Sequence, residues 1–348
     1  MNDKTFEVCN QTSGRRFAAR SGETVLAAAL RQGVVLPYSC KNGTCASCKC
    51  RLVEGRVHYP YNPPAALTPD ELYDGAILAC QAVPDSALVI EATEIRQVAE
   101  IPLRVLPARV DAIEALTPTV RLLRLKLPHG QRLQFLAGQY MDILLPGGKR
   151  RAFSIASPPS QTDYLELHVR HVSGGGFTGH VFSTMQRGEI LRLEGPLGTF
   201  FIRKDCDRPI LMVGGGTGFA PLKAMIEDLI EGGDQRPLTL YWGVRREPDL
   251  YALHLIDQWR RRHPAFRFVP VLSEPEPGWS GRTGLVHEAM LADHPDLADY
   301  EIYMSGPPAM VHAGRSAILA AGGRESQLHY DSFDFAPDVP PADTPGRR

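Results

Sequence analysis

One stretch decides the fold of this chain: Cys40-Lys41-Asn42-Gly43-Thr44-Cys45-Ala46-Ser47-Cys48. Four residues separate its first two cysteines, two separate the second and third, and 31 lie between Cys48 and a fourth cysteine, Cys80. The chain has seven cysteines, and an odd count without a secretory signal argues against a disulfide framework. The clustered thiols are therefore predicted to serve a metal centre.

The spacing of these cysteines indicates which metal centre they hold. C-x4-C-x2-C followed by a distant fourth cysteine is the plant-type [2Fe–2S] arrangement. Small residues in the loop let backbone N–H groups approach the sulfurs of a cluster. A zinc site is the alternative, but zinc spacings usually pair two short C-x2–4-C units. The predicted ligands are Cys40, Cys45, Cys48 and Cys80, and the predicted non-ligands are Cys9, Cys50 and Cys206.

Hydrophobic patterning divides the chain into three predicted domains. Residues 1–95 form a β-rich unit, with strands at 5–8 and 16–19 and a capped helix from residue 21 to Gly33. A linker follows at 96–107. Short β-type runs between turns predict an antiparallel barrel over 108–203. Strand–helix alternation predicts a parallel α/β domain over 204–335, and the proline-rich residues 336–348 are predicted to be a disordered tail.

Composition excludes several functions. The 348 residues carry a formal net charge of −1, which argues against binding a nucleic-acid backbone. The sequence shows neither a signal peptide nor an apolar run long enough to span a bilayer, so a cytoplasmic protein without membrane partners is expected. A nucleophilic hydrolase is not indicated because the chain contains no G-x-S-x-G motif.

The residues around the cysteines resemble a known family. Residues 36–39 and 78–82 resemble the flanks of plant-type ferredoxins, and the rest of the chain, to about Phe335, resembles the ferredoxin–NADP reductase superfamily. The resemblance implies a β-grasp ferredoxin domain, an antiparallel FAD-binding β-barrel and a parallel α/β nucleotide-binding domain. Elsewhere in the sequence, four histidines have no ligand-like partners and are predicted to have structural or surface roles: His168, His171, His254 and His263.

The same resemblance implies an FAD site at Arg151-Ala152-Phe153-Ser154. Arg151 would neutralise the flavin pyrophosphate, Phe153 would cover the isoalloxazine ring, and Ser154 would hydrogen-bond flavin N5. A second phosphate contact is expected from Thr178 with the backbone of Gly175 and Gly176.

A third motif, residues 213–221, follows an apolar strand and opens a helix, as a dinucleotide loop requires. It matches the superfamily pattern G-x-G-x-x-P, and the expected nucleotide contacts are Gly214, Gly216, Thr217, Gly218 and Pro221. Farther along, Arg245 and Arg246 suit the 2′-phosphate of NADPH, whereas Glu247 or Asp249 suits the free 2′-hydroxyl of NADH. The resemblance to oxygenase reductases favours NADH, with Arg245 as a cofactor-binding residue.

Two residues near the C-terminus are expected beside the reacting rings. Ser305 begins S-G-P-P-A-M, which matches the superfamily motif C-G-P-P-x-M with serine in place of cysteine. The resemblance places this element beside the nicotinamide. Phe333 belongs to a terminal segment that resembles the one covering the flavin. The expected catalytic residues are therefore Ser154, Ser305 and Phe333.

Together these motifs predict a reductase that passes electrons from NAD(P)H to FAD, to [2Fe–2S] and then to an external protein. Ferredoxin-first domain order resembles CDP-6-deoxyhexulose dehydrase reductases most, and reductase components of phenol, benzoate and methane oxygenases next. The acceptor is thus expected to be a dehydrase or an oxygenase component. An exposed cluster loop carrying Lys41 and Lys49 is the predicted docking face. A simple electron carrier and a zinc-stabilised interaction domain are the alternatives from other classes.

Overall fold

The computed structural model describes residues 4–60 and 66–333. These residues form three larger sheets and one two-stranded sheet. Among them, no helix combines the length and the apolar character needed to cross a membrane. The predicted disordered tail, 336–348, lies outside the described residues.

The N-terminal unit is a mixed sheet packed against a short helix. Its elements are β1 (Thr5–Asn10), β2 (Arg15–Arg20), α1 (Val25–Arg31), β3 (Lys49–Glu54), β4 (Val57–His58), α2 (Pro69–Tyr73), β5 (Ala76–Leu78), β6 (Val83–Pro84) and β7 (Leu88–Glu91). The strand order is β2-β1-β7-β3-β5, with β1 antiparallel to β2 and parallel to β7. The helix starts later than residue 21, because the Thr24 side chain accepts a hydrogen bond from Ala27 N and caps it.

The predicted linker is not a bare connection. It contains α3 (Arg96–Ala99) and the first residues of the next strand. Ile95 and Val98 are buried against Phe201 of the second domain. This apolar contact gives the short helix a packing partner that its own sequence pattern does not reveal.

The second domain is an antiparallel six-stranded sheet in the order β11-β10-β13-β8-β9-β12. Its elements are β8 (Arg104–Thr117), β9 (Val120–Lys126), β10 (Tyr140–Leu144), β11 (Arg150–Ser154), β12 (Leu165–Arg170), α4 (Gly176–Ser183) and β13 (Ile190–Leu197). Inward-facing side chains such as Val110, Leu123, Met141 and Leu167 fill its core. The R-A-F-S motif therefore forms an edge strand, β11.

The third domain is a parallel sheet in the order β17-β16-β15-β14-β18-β19. Its elements are β14 (Ile210–Gly215), α5 (Phe219–Glu231), β15 (Leu238–Val244), α6 (Leu253–Arg262), β16 (Phe266–Leu272), β17 (Arg282–Thr283), α7 (Val286–Asp293), β18 (Glu301–Gly306), α8 (Pro308–Ala320) and β19 (Leu328–Ser332). The chain leaves β14 for β15 on one side, and β18 lies on its other side. Such a reversal of strand order is a topological switch point, and ligands bind there, outside the carboxyl ends of the strands. Residues 214–218, which we call the glycine loop, lie at this position.

The cysteine loop packs against the other two domains. The Tyr140 hydroxyl of the barrel donates to Ser39 O at 3.0 Å, and Ser47 Oγ donates to Tyr330 O of β19 at 3.1 Å. Beside the loop, four charged side chains join the first domain to the third. Glu71 Oε1 of the first domain lies 3.0 Å from Lys49 Nζ and 3.2 Å from Arg315 Nη2. The Glu325 carboxylate of the third domain contacts the same two cations. The prediction of Lys49 as part of an exposed docking face is wrong, because these carboxylates hold its ammonium between domains.

Candidate functional site

The four predicted ligand cysteines meet as two pairs. Cys45 lies beside Cys40, and Cys48 lies beside Cys80. Two thiols for each of two irons is the donor set that a [2Fe–2S] cluster requires. Cys50 stays apart: burial raises the pKa of its thiol to about 12, so it remains protonated. Within residues 4–60 and 66–333, no three Cys, His, Asp or Glu side chains meet in a way that suits a single metal ion.

The backbone of the cysteine loop is shaped to surround the sulfurs. Lys41 and Ala46 have positive φ angles of 59° and 60°, and Gly43 has a φ of 84°. Within this loop the Ser47 N–H donates to Cys45 Sγ at 3.4 Å. A cluster with negatively charged sulfurs fits this loop.

A cavity of about 380 Å³ lies between the cysteine loop, the barrel and β19. We call it the flavin cavity. Its lining includes the predicted flavin residues Arg151, Phe153, Ser154, Gly175, Thr178 and Phe333, and also Ser39, Cys40, Lys41 and Asn42 of the cysteine loop. Gly176 begins α4 directly after Gly175. A Cβ on Gly175 would lie 2.6 Å from Thr178 Oγ1, so the phosphate turn needs glycine there.

Asp331 is a functional candidate that the sequence did not reveal. It is buried on β19, and its carboxylate accepts hydrogen bonds from Ser39 Oγ of the cysteine loop and from Ser154 Oγ at 3.3 Å. Burial raises the pKa of this carboxyl to about 6. One side chain thus links the predicted flavin-contacting hydroxyl to the residue before the predicted cluster ligand Cys40.

Ser332 is the second such residue. Its hydroxyl lines the flavin cavity, is buried, and has no hydrogen-bond partner within the described part of the chain. Buried polar groups are normally hydrogen-bonded, so this orphaned hydroxyl fits a cavity made for a polar ligand such as the flavin ring. The sequence motif Tyr330–Phe333 predicts a role for Phe333, and nothing in its pattern indicates a role for Ser332.

A second cavity of about 450 Å³ lies at the carboxyl ends of β14, β15 and β16. We call it the nucleotide cavity. Gly215, Gly216 and Thr217 line it, together with Arg245, Asp249 and Tyr251 from the segment after β15. His287 also lines it, and its buried Nδ1 has no partner among the described residues. This histidine was missed because α7 carries no recognisable motif.

The glycine loop leaves no room for side chains. A Cβ on Gly218 would lie 2.0 Å from Ser305 O, and one on Gly215 would lie 2.5 Å from Met310 Sδ. Gly214 packs on Leu222, and Pro221 lies buried in the first turn of α5. Gly214, Gly218 and Pro221 therefore shape the loop, whereas Gly215, Gly216 and Thr217 line the cavity.

Ser305 lies just outside the linings of both cavities. It is fully buried at the end of β18, and its Oγ has no hydrogen-bond partner in the described chain. The residues that line the two cavities include its neighbour Pro307 but not Ser305 itself. Its contact with the nicotinamide stays a prediction.

The flavin and nucleotide cavities share a wall. Arg170 and Thr217 line both of them. The two cavities are therefore adjacent, as hydride transfer between two bound cofactors requires. The donor sets and the glycine-formed spaces fit a [2Fe–2S] cluster, an FAD and a nicotinamide nucleotide in a continuous row.

Comparison with protein-family models assigns all three domains. Residues 8–85 match the 2Fe-2S iron-sulfur cluster binding domain, residues 107–202 the oxidoreductase FAD-binding domain, and residues 212–316 the oxidoreductase NAD-binding domain. The predicted cofactors are thereby confirmed, although the preference for NADH is not part of this result.

Whole-chain relatives share the same domain set. The CDP-6-deoxy-L-threo-D-glycero-4-hexulose-3-dehydrase reductase of Yersinia pestis is 38% identical over 321 residues, 92% of this chain and 96% of the relative. The reductase component DmpP of phenol 2-monooxygenase from Pseudomonas sp. strain CF600 is 38% identical over 341 residues, 96% of each protein. The crystal structure of the Amycolatopsis cytochrome P450 reductase GcoB matches with a TM-score of 0.76 and 36% identity, covering 94% of this chain and 99% of that chain. The chain therefore belongs to the family of electron-transfer oxidoreductases that join a [2Fe–2S] ferredoxin domain to FAD-binding and NAD-binding domains.

Proposed function

We propose that this reductase takes electrons from NADH in the nucleotide cavity and delivers them, by way of FAD and the [2Fe–2S] cluster, to a separate dehydrase or oxygenase component. One observation carries the proposed order of transfer. Residues 39–42 of the cysteine loop form part of the wall of the flavin cavity. The cluster ligand Cys40 is thus adjacent to the flavin, and the nucleotide adjoins the flavin on another side.

The barrel residues bind and orient the flavin. When bound, FAD supplies the conversion of a two-electron hydride into single electrons. Arg151 pairs with its pyrophosphate, and Thr178 with the backbone of Gly175 and Gly176 holds the phosphates at the start of α4. Phe153 and Phe333 line the cavity as flat apolar faces and exclude water from the ring.

Ser154 and Asp331 set the direction of the hydrogen bond beside flavin N5. The Asp331 carboxylate accepts the Ser154 hydroxyl proton in a hydrogen bond and fixes the direction in which that hydroxyl points. The same carboxylate holds Ser39, which keeps the cysteine loop against the flavin cavity. Asp331 is therefore proposed as a positioning residue for the flavin and for the cluster loop.

Charges at the mouth of the nucleotide cavity favour NADH over NADPH. Asp249 lines the cavity where the adenosine ribose is expected, and a carboxylate there accepts a hydrogen bond from a free 2′-hydroxyl but repels a 2′-phosphate. Arg245 also lines this cavity and is one cation available to a phosphate, and its Nε lies 3.8 Å from the Glu274 carboxylate. A carboxylate that close also disfavours a bound phosphate.

An anaerobic titration tests the donor and the order of transfer. NADH added to the purified protein is expected to bleach the flavin band and the cluster band at low concentration, whereas NADPH is expected to require a large excess. Equal titration by both nucleotides contradicts the NADH preference. A cluster band that stays oxidised while the flavin is reduced contradicts the proposed route.

The acceptor is tested by reconstitution. A dehydrase component is proposed first, after the Yersinia pestis relative, and the second candidate is an oxygenase component, after the Pseudomonas relative of equal identity. Each purified component is added to reductase and NADH, and product formation is compared with NADH consumed. If product formation matches NADH consumption with one component and no product forms with the other, the first component represents the class of the acceptor.

Replacing the N5-facing hydroxyl is expected to slow flavin reduction. In Ser154→Ala the flavin loses the hydroxyl oxygen that would face N5, and Asp331 loses one donor, so the limiting rate of flavin reduction by NADH should fall about 10-fold or more. Stopped-flow absorbance measures this rate. The control is Ser183→Ala, which removes an exposed hydroxyl bonded only to Gly179 O. A Ser154→Ala rate within two-fold of the parent chain would exclude the role.

A further inference from the structure

A network of charged and polar side chains is buried where the barrel meets the nucleotide-binding domain. His168 and Glu166 belong to β12, and Lys223 lies on α5. His168 Nε2 is 3.1 Å from Glu166 Oε1, and Lys223 Nζ is 3.2 Å from the same oxygen. On its other side, His168 Nδ1 lies 3.1 Å from the hydroxyl of Tyr251. One histidine thus joins the two domains.

The protonation of this network is fixed by its surroundings. Burial disfavours the Glu166 carboxylate, but the His168 hydrogen bond and the Lys223 charge outweigh it and lower the Glu166 pKa to about 2. Burial lowers the pKa of His168 and raises that of Tyr251. An ionised carboxylate only accepts hydrogen bonds, so neutral His168 donates from Nε2 to Glu166. Nδ1 is then the acceptor, and the Tyr251 hydroxyl is the donor.

The hydrogen bond between His168 and Tyr251 connects the two cavities. His168 lines the flavin cavity and Tyr251 lines the nucleotide cavity. The imidazole is parallel to the Phe219 ring, with centroids 6.2 Å apart, and Phe219 is stacked on Trp242 at 4.0 Å. Trp242 Nε1 donates to Gly216 O of the glycine loop at 2.9 Å. A row of rings therefore extends from the flavin wall to the loop that holds the nucleotide phosphates.

We propose that His168 is a positioning residue for hydride transfer, because it fixes Tyr251 and the glycine loop at a set distance from the flavin. It acts through Tyr251, Phe219 and Trp242 and leaves the nicotinamide and the flavin free to stack. This inference rests on the proposed function, since it presumes that a nicotinamide is the hydride donor. A displacement of about 1 Å between reacting groups can cost about 100-fold in rate, so a buried interdomain hydrogen bond at this point controls the rate strongly.

The smallest test is Tyr251→Phe, which removes one hydroxyl group. We expect the limiting rate of flavin reduction by NADH to fall about 10-fold, and the charge-transfer absorbance of nicotinamide stacked on reduced flavin to weaken. The FAD content and the affinity for ADP-ribose, which lacks the nicotinamide, should stay within two-fold. His168→Phe should give a similar loss, and the double variant should be no slower than the slower single variant. His168→Gln retains a donor and an acceptor and should restore part of the rate.

A matched control is Tyr303→Phe. Tyr303 is fully buried in the same domain, and its hydroxyl accepts a hydrogen bond from Arg203 N at 2.8 Å, yet it lines neither cavity. It should lower thermal stability without changing the limiting rate. The inference is overturned if Tyr251→Phe reduces flavin as fast as the parent chain, or if FAD content and ADP-ribose affinity fall along with the rate. If NADH leaves the flavin of the parent chain oxidised, the proposed function itself fails.

Discussion

Cys80→Ala is expected to abolish electron output while leaving flavin reduction intact. Cys80 supplies half of one cysteine pair, and a [2Fe–2S] cluster needs four thiolates. Because Cys80 does not line the flavin cavity, the nicotinamide and flavin sites should keep their geometry. Reduction of cytochrome c by NADH should fall at least 100-fold, whereas flavin bleaching followed by stopped-flow should stay within about three-fold.

The matched control for this change is Cys50→Ala. Cys50 is a buried cysteine two residues beyond Cys48, and its thiol, whose pKa burial raises to about 12, is predicted not to be a ligand. Its substitution should retain the cluster absorbance and the iron and sulfide content. Cytochrome c reduction that survives in Cys80→Ala would mean that electrons leave from the flavin. Loss of the cluster in Cys50→Ala would mean that the ligand set is misassigned.

Gly218→Ala is expected to produce the largest effect on nucleotide use. The new Cβ would lie 2.0 Å from Ser305 O and 2.8 Å from Gly306 Cα, and backbone atoms cannot move aside as a flexible side chain does. The glycine loop must therefore shift away from β18, and its backbone is no longer in position to bind the nucleotide pyrophosphate. We expect the kcat/KM for NADH to fall at least 100-fold, with the FAD and iron contents unchanged.

Gly179→Ala provides the control for that substitution. Gly179 lies inside α4, and a Cβ there meets nothing within 4 Å. Alanine in a helix interior is stabilising by roughly 0.5–1 kcal/mol relative to glycine, so this variant should melt at the same temperature or higher and keep its activity. If Gly218→Ala retains normal kinetics for NADH, the glycine loop does not bind the nucleotide.

The sequence predicted the parts of the site that depend on local spacing. The cysteine pattern, R-A-F-S and the glycine loop each occupy one short segment. The cysteine pattern lies in a loop and the glycine loop in a strand-to-helix turn, as predicted, and R-A-F-S lines the flavin cavity. Asp331 could not be found in this way. Its contact with Ser39 spans 292 positions of sequence, and no local pattern records which strand a distant carboxylate will face.

Burial accounts for the other omissions. Ser332 and His287 matter because their polar atoms lie unpaired at cavity walls, and pairing depends on the tertiary structure. Lys49 looked like an ordinary surface lysine because Glu71 and Glu325, which hold it, are distant in sequence. His168 looked structural for the same reason, since Tyr251 is 83 positions away.

The position of β19 has a consequence for synthesis of the protein on the ribosome. This strand supplies Asp331, Ser332 and the adjoining Phe333 to the flavin cavity and Tyr330 to the cysteine loop, yet every other described strand and helix precedes it in the chain. The ferredoxin sheet and the barrel can therefore fold while translation continues. The part of the flavin cavity wall that β19 supplies, and its contact with the cysteine loop, can form only after β19 has left the ribosomal tunnel, so both sites are completed after the ferredoxin sheet and the barrel.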